Sequence, residues 1–336
     1  MTPIATRPGP HLVWAFAFSG LDAWAIDRPV DPDAAVERTA SSPQPLLWLH
    51  LNLADQSTIR WLDADTDLPA EVRELLVGPD THARALVARD CVACVVHDFE
   101  VDFAAGATSR VGALRFALCP GRILTARHHP LHAADVIRRR IDAGVRPDGA
   151  AAALDLIVTS IASVAAKTAA ELAAGVEAAE DALLQDDFEP DAKTLASTRR
   201  QAKQLHRQLG GLRAVLARLE EDEDLPDDLR PAVERLAQRI ASLEGDVRGI
   251  EGDVRLLRDE LDLQAARRTN ANLYVLSILS ALLLPATLVT GFFGMNTSAL
   301  PFESGSFGTL AAGAVAAGSA FAVYLWLRAK GFLGGG

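Results

Sequence analysis

Two uncharged apolar stretches near the C-terminus, residues 273–293 and 307–327, constrain this chain more than any other feature. Each holds about 20 residues, enough for a helix to cross roughly 30 Å of hydrocarbon. A segment in lipid must satisfy its backbone polar groups internally, so both read as membrane-spanning helices. The link between them, residues 294–306, carries one charge, Glu303, and no Lys or Arg. Arg267 and Arg268 precede the first span, and Arg328 and Lys330 follow the second. The positive-inside rule then places both termini in the cytoplasm and the link outside.

Everything before Leu273 reads as soluble. The net charge of −11 argues against a nucleic-acid partner and suits a protein that handles cations. The cysteines are few (Cys91, Cys94 and Cys119), and residues 1–10 hold no apolar core of a secretory signal. Together they predict a reduced, cytosol-facing domain. No nucleophile–base constellation, phosphate loop or nucleotide fingerprint occurs, so the chain is expected to be neither an enzyme nor the carrier of a cofactor.

The organisation predicts an α+β fold. Residues 1–148 form an α/β domain, with strands over 11–18, 46–53, 91–97, 111–118 and 122–126 and helices over 68–77 and 132–143. Residues 149–272 form long helices. The first, 151–185, is apolar, but Asp155 and Lys167 make it a poor span. After Pro190 comes a helix over 191–219, basic on one side through Arg199, Arg200, Lys203 and Arg207, then a solvated acidic turn, Glu220 to Asp224. From Leu229 through Leu261 apolar residues alternate at spacings of 4 and 3 without interruption. That pattern fits either a coiled-coil-like seam or a helical bundle inside one subunit. No breaker intervenes between this stalk and the first span. One helix from Asp228 to Met295 would be on the order of 100 Å long. Gly245, Gly249 and Gly252 lie off the seam, where they permit close helix approach or are simply tolerated.

The first span ends in Gly294-Met295-Asn296, with Asn270, Pro285, Thr287 and Gly291-Phe-Phe before it. In type and spacing these residues resemble the pore helix of the CorA-type divalent-cation transporters. The resemblance holds for the architecture of the whole chain and is specific over about residues 270–302. Magnesium-transporting members usually continue with a Met-Pro-Glu-like loop. Here Thr297-Ser-Ala-Leu-Pro301-Phe302 follows, which resembles the zinc-associated ZntB branch. The resemblance implies a funnel-shaped homopentamer in the inner membrane whose partners are its own copies, the bilayer and the transported ion. Zn²⁺ stands ahead of Mg²⁺, Co²⁺ or Ni²⁺. The domains become a cytosolic domain (1–148), a stalk (149–272, seam 229–261), a pore-lining span (273–293), a periplasmic loop (294–306), a second span (307–327) and a cytosolic tail (328–336).

The same resemblance assigns the site. A ring of Asn296 carbonyls would hold a cation through its hydration shell, since small divalent ions dehydrate reluctantly. Gly294 would permit a tight turn beside it, and Met295 would pack against its neighbours. Counting back, Gly291, Thr287, Leu284 and Leu276 match the pore face. Thr287 would offer an oxygen, Thr290 an oxygen or only a bond to its own helix, and Leu284 and Leu276 apolar constrictions that gate by dewetting. Pro285 would loosen the helix, and Glu303 would concentrate cations at the mouth. The spans hold no titratable carboxylate or histidine, so proton coupling inside them is not expected. Secondary metal candidates are His128, His129 and His132. Cys91-Val-Ala-Cys94 is a weaker one, because strand residues three apart point to opposite faces. The rival from another class is a membrane-anchored coiled-coil scaffold.

Overall fold

The structure is a computed structural model that describes residues 10–19, 22–25, 45–101, 110–184, 192–294 and 308–332. The chain divides into two units, Met1–Leu257 and Arg258–Gly336. In the first, seven strands form one mixed sheet: β1 (Leu12–Ser19), β2 (Asp22–Ala25), β3 (Leu46–Asn52), β4 (Arg84–Ala88), β5 (Cys91–Phe99), β6 (Val111–Cys119) and β7 (Arg122–Arg127). Their order is β2-β1-β3-β7-β6-β5-β4. Only β3 and β7 pair parallel. All five strands expected from composition are present. β2 and β4 were missed, as was helix α1 (Gln56–Ala64), whose start is capped by Asp55 accepting from the Ser57 amide at 2.8 Å. The β4–β5 hairpin turns through Arg89 and Asp90, with Arg89 at φ 53°, and lacks the Asn or Gly that would mark such a turn.

Both faces of the sheet are covered, which is why β5 reads as a continuous apolar run rather than an alternation. On one face Leu49, Leu51, Val95, Ala117 and Leu124 pack against α1 and α2 (Ala70–Val77) through Leu62, Val72, Leu75 and Leu76. Trp48, His50 and Thr125 point to the other. There the indole of Trp48 donates to Thr125 Oγ1 at 3.1 Å, His50 Nδ1 lies 2.9 Å from the same oxygen, and Arg127 Nε donates to His50 Nε2 at 3.2 Å. Helix α3 (His132–Asp142) begins on this face, where buried Asp98 accepts from the Ala133 amide at 2.6 Å.

Cys91 and Cys119 are disulfide-bonded, which corrects the expectation of three reduced cysteines. The antiparallel register of β5 and β6 sets the two directly opposite, with Cα atoms 4.4 Å apart. Cys94 points to the other face, buried, and burial pushes its thiol far up. The pair Cys91 and Cys94 therefore cannot converge on a metal.

Among the described residues three helices are long and apolar enough to span a membrane: α4 (Ala150–Leu184), α6 (Arg230–Phe293) and α7 (Gly308–Ala329). In α4 the apolar face is spent inside the soluble unit, with Leu154, Ile157, Val158 and Ile161 buried. It is therefore the soluble helix expected. It leads to α5 (Ala192–Glu220), which packs on β4 and β5. On α6 the seam residues Val233, Leu236, Ile240, Val247, Ile250, Val254 and Leu257 are buried within the one chain, which is the bundle reading. Leu243 is only half-buried, and Glu244 takes the buried position beside it.

His50 and Asp98 respond oppositely to pH. Burial and then the charge of Arg127 lower His50 from 6.5 to about 3. Its share of stability is complete above about pH 6.5 and is lost as pH falls toward 3. Burial raises Asp98 from 3.8 to about 7, with Asp135 adding to the rise and the amides of Ala133 and Phe99 opposing it. Its share is complete below about pH 4 and is lost as pH rises toward 7. In denaturant titrations of the full chain in detergent, Asp98→Asn gains on the wild type by ~1.4 kcal/mol per pH unit from about pH 4 to 7. His50→Gln gains in the opposite direction. A pH-independent difference for either contradicts this assignment.

Candidate functional site

The site is built on the C-terminal half of α6. Pro285 lies inside the helix and removes the bond to the Ala281 carbonyl, yet the helix continues to Phe293. Around it, hydroxyls turn back onto the backbone. Thr287 Oγ1 donates to the Leu283 carbonyl at 2.9 Å, Thr290 Oγ1 to Thr287 at 3.0 Å and Ser277 Oγ to Leu273 at 2.7 Å. With the proton used on the helix, each threonine oxygen keeps only lone pairs to offer a further partner. That is the polarity a hydrated cation needs, because its water shell presents hydrogens.

At about 100° per residue, Leu276, Leu284, Thr287 and Gly291 fall within an arc of roughly 80°. All four are exposed, as is Thr290 at the edge of the arc. The residues half-covered within the chain are Ile278, Ala281, Leu282, Pro285, Ala286, Val289 and Phe293, and they lie on the opposite side. Ser280 sits in the middle of the exposed arc and was missed by sequence reasoning. The spacing 276, 280, 284 was its signal. Gly294 donates its amide to the Thr290 carbonyl at 2.9 Å, and a Cβ there would come to 3.0 Å from that oxygen. Close approach, rather than a positive φ, favours glycine at this position. Met295, Asn296 and Glu303 lie outside the described residues.

A second polar centre ties α5 to the stalk part of α6. Glu244, 5% exposed, receives Arg213 Nε at 2.6 Å and Arg248 Nη2 at 3.0 Å, and His206 Nε2 stands 3.4 Å away. The other ring nitrogen of His206 lies 3.2 Å from Glu251. This cluster was missed by sequence reasoning, because Glu244 lies buried beside the seam's apolar residues.

Among the described residues no three His, Cys, Asp or Glu side chains are placed to hold a metal ion, so His128, His129 and His132 are not assembled into such a group. Burial, then the nearby Arg115 and His129, lower the His128 pKa, and a neighbouring guanidinium works against a cation there.

A family model described as a CorA-like Mg²⁺ transporter protein matches residues 43–329, from just before β3 to the end of α7. The chain belongs to the CorA family. Curated relatives include a protein named zinc transport protein ZntB from Yersinia pseudotuberculosis, 26% identical over 277 residues, covering 82% of this chain and 84% of that one. One of the same name from Pectobacterium carotovorum is 26% identical over 264 residues, covering 78% and 80%. Among solved structures, the full-length CmaX protein aligns at a TM-score of 0.76 and 22% identity, covering 94% of this chain and 98% of that one. The CorA magnesium transporter of Methanocaldococcus jannaschii aligns at 0.75 and 16% identity, covering 96% and 99%. This CorA-family chain is accordingly a divalent-cation transporter and not an enzyme.

In this transporter the Glu244 cluster is a stability element with a measurable weight. Arg213 and Arg248 are about half-exposed, so they remain solvated when the carboxylate is removed. Glu244→Ala is expected to cost about 1–3 kcal/mol in urea unfolding, mostly through lost charge-assisted bonds. Glu251→Ala, with one histidine partner, costs under ~1 kcal/mol. Equal costs would mean that the burial of Glu244 contributes nothing.

Proposed function

We propose that copies of this chain form a homopentamer in the inner (plasma) membrane and conduct divalent cations along the exposed arc of α6, with Zn²⁺ preferred. Two spans cannot enclose a pore, so conduction requires several copies. The observation that carries the reading is the two-sidedness of α6. Its half-covered side lies opposite the arc that bears Leu276, Ser280, Leu284, Thr287 and Gly291. That arc leads to Gly294-Met295-Asn296. Five Asn296 carbonyls form a neutral oxygen ring that holds an ion with its water shell and still lets it leave. Thr287 and Thr290 then receive the water shell, and Leu284 and Leu276 form the apolar constrictions. Glu303, five times repeated, raises the cation concentration at the outer mouth. Both termini lie in the cytoplasm, following the basic residues that flank the spans.

Zn²⁺ is favoured by the Thr297–Phe302 continuation and by relatives named as zinc transport proteins. Mg²⁺ is the second reading, favoured by the description of the family model. Uptake into proteoliposomes, comparing Zn²⁺, Mg²⁺, Ni²⁺ and Co²⁺ with and without a pH gradient, separates them. Zn²⁺ uptake above the others is the expected result, and Mg²⁺-selective flux driven by voltage alone moves the protein to the second reading. Asn296→Ala is expected to reduce flux by about tenfold or more, ~1.4 kcal/mol on the barrier, with the assembly mass unchanged. Undiminished flux in that variant would remove the asparagine ring from the account.

A further inference from the structure

The α4–α5 hairpin separates its charges by helix. From Thr168 to Asp191 the chain has eight acidic residues and no basic one, and from Ala192 to Leu219 it has seven Lys or Arg and no acidic one. On α4, Glu177, Glu180 and Asp181 are exposed and lie within about 100° of arc. On α5, Arg200, Lys203 and Arg207 are exposed and share an arc of about 60°. Among the described residues none of these six makes an ion pair, although the two helices are neighbours in one hairpin. Along α5 the like charges at 200, 203 and 207 repel at i,i+3 and i,i+4 spacing, a cost that no ion pair offsets among the described residues.

We propose that the basic face of α5 is the docking surface for the acidic face of α4 from a second copy of this chain. A ring of an odd number of subunits cannot be built from self-complementary contacts. It needs a patch and a different, matching patch on every subunit. The hairpin carries such a pair, equal in number and opposite in sign. Exposed ion pairs add little affinity singly, so the contact sets subunit order and register while apolar surfaces elsewhere hold the ring. The proposal rests on the oligomeric reading above.

The chain has only four lysines, Lys167, Lys193, Lys203 and Lys330, which makes zero-length carbodiimide coupling of lysine to carboxylate a sparse readout. In the full-length protein in detergent, Lys203 is expected to couple to Glu177, Glu180 or Asp181. Two variants separate copies. One carries Lys193→Arg with Lys203→Arg and keeps the α4 carboxylates; the other carries Glu177→Gln, Glu180→Gln and Asp181→Asn and keeps the lysines. Neither alone can form the link. Co-expressed and co-purified through different tags, they are expected to restore it, and coupling weakens as salt is raised. A native mass above that of a monomer, with no link in the wild type or none restored in the mixed assembly, overturns the proposal and leaves the oligomeric reading standing. Lys203 shielded instead by anionic-lipid nanodiscs, with no inter-copy link, overturns it in favour of a lipid partner. A monomeric mass removes both.

Discussion

Helix α6 has to be acceptable to two solvents along one uninterrupted backbone. In its first half, packing of Val233, Leu236, Ile240, Val247, Ile250, Val254 and Leu257 against the rest of the chain holds the helix. In its second half one side is half-covered, and among the described residues the most apolar 18-residue stretch has no buried residue. That stretch is long and apolar enough to cross a membrane, a solvent that would offer the backbone no alternative hydrogen-bond partner. Even Pro285 does not end it, and the neighbouring hydroxyls spend their protons on the same backbone. The 64-residue element that results joins the sheet-bearing unit to the apolar stretch in one helix.

That continuity gives the Glu244 cluster its meaning. A buried carboxylate held by Arg213 from α5 and by Arg248 from its own helix fixes the register between the two. His206 extends the contact to Glu251, two turns further on. The sheet has a different task. Its polar interior at Trp48, His50, Thr125 and Arg127 is a closed set of donors and acceptors consistent with a neutral imidazole, and it stabilises the scaffold rather than handling ions.

Much of this was legible in the residues. The strands announced themselves by Val, Leu and aromatic runs between turn formers, and the stalk by its 4–3 spacing. Two stretches long and apolar enough to cross a membrane showed by length and lack of charge, and the positions at 276, 284, 287 and 291 that match the family's pore face are exposed on one arc. What stayed hidden depends on neighbours distant in sequence. The opposition of Cys91 and Cys119 exists only once β5 and β6 pair across 28 residues. Burial of Arg115, which donates to the Leu76 and Asp80 carbonyls at 2.9 and 3.2 Å, cannot be read from a charged letter in a strand. Glu244 was hidden by its position, one residue past a seam leucine that it displaces from full burial. The heptads alone did not decide between a seam shared by copies and a bundle within one, and burial inside the single chain decided it.

Movement of cations along one arc of α6 can be read out by a cysteine scan. Single cysteines from Leu273 to Gly291, placed in a background lacking Cys91, Cys94 and Cys119, would be assayed in the reconstituted protein for reaction with a membrane-impermeant thiol reagent and for block of flux. Reaction and block are expected at positions 276, 280, 284, 287 and 291, with protection of those positions by the transported ion and silence at 278, 282, 285 and 289. Uniform reactivity, or reactivity centred on the half-covered side, would contradict it.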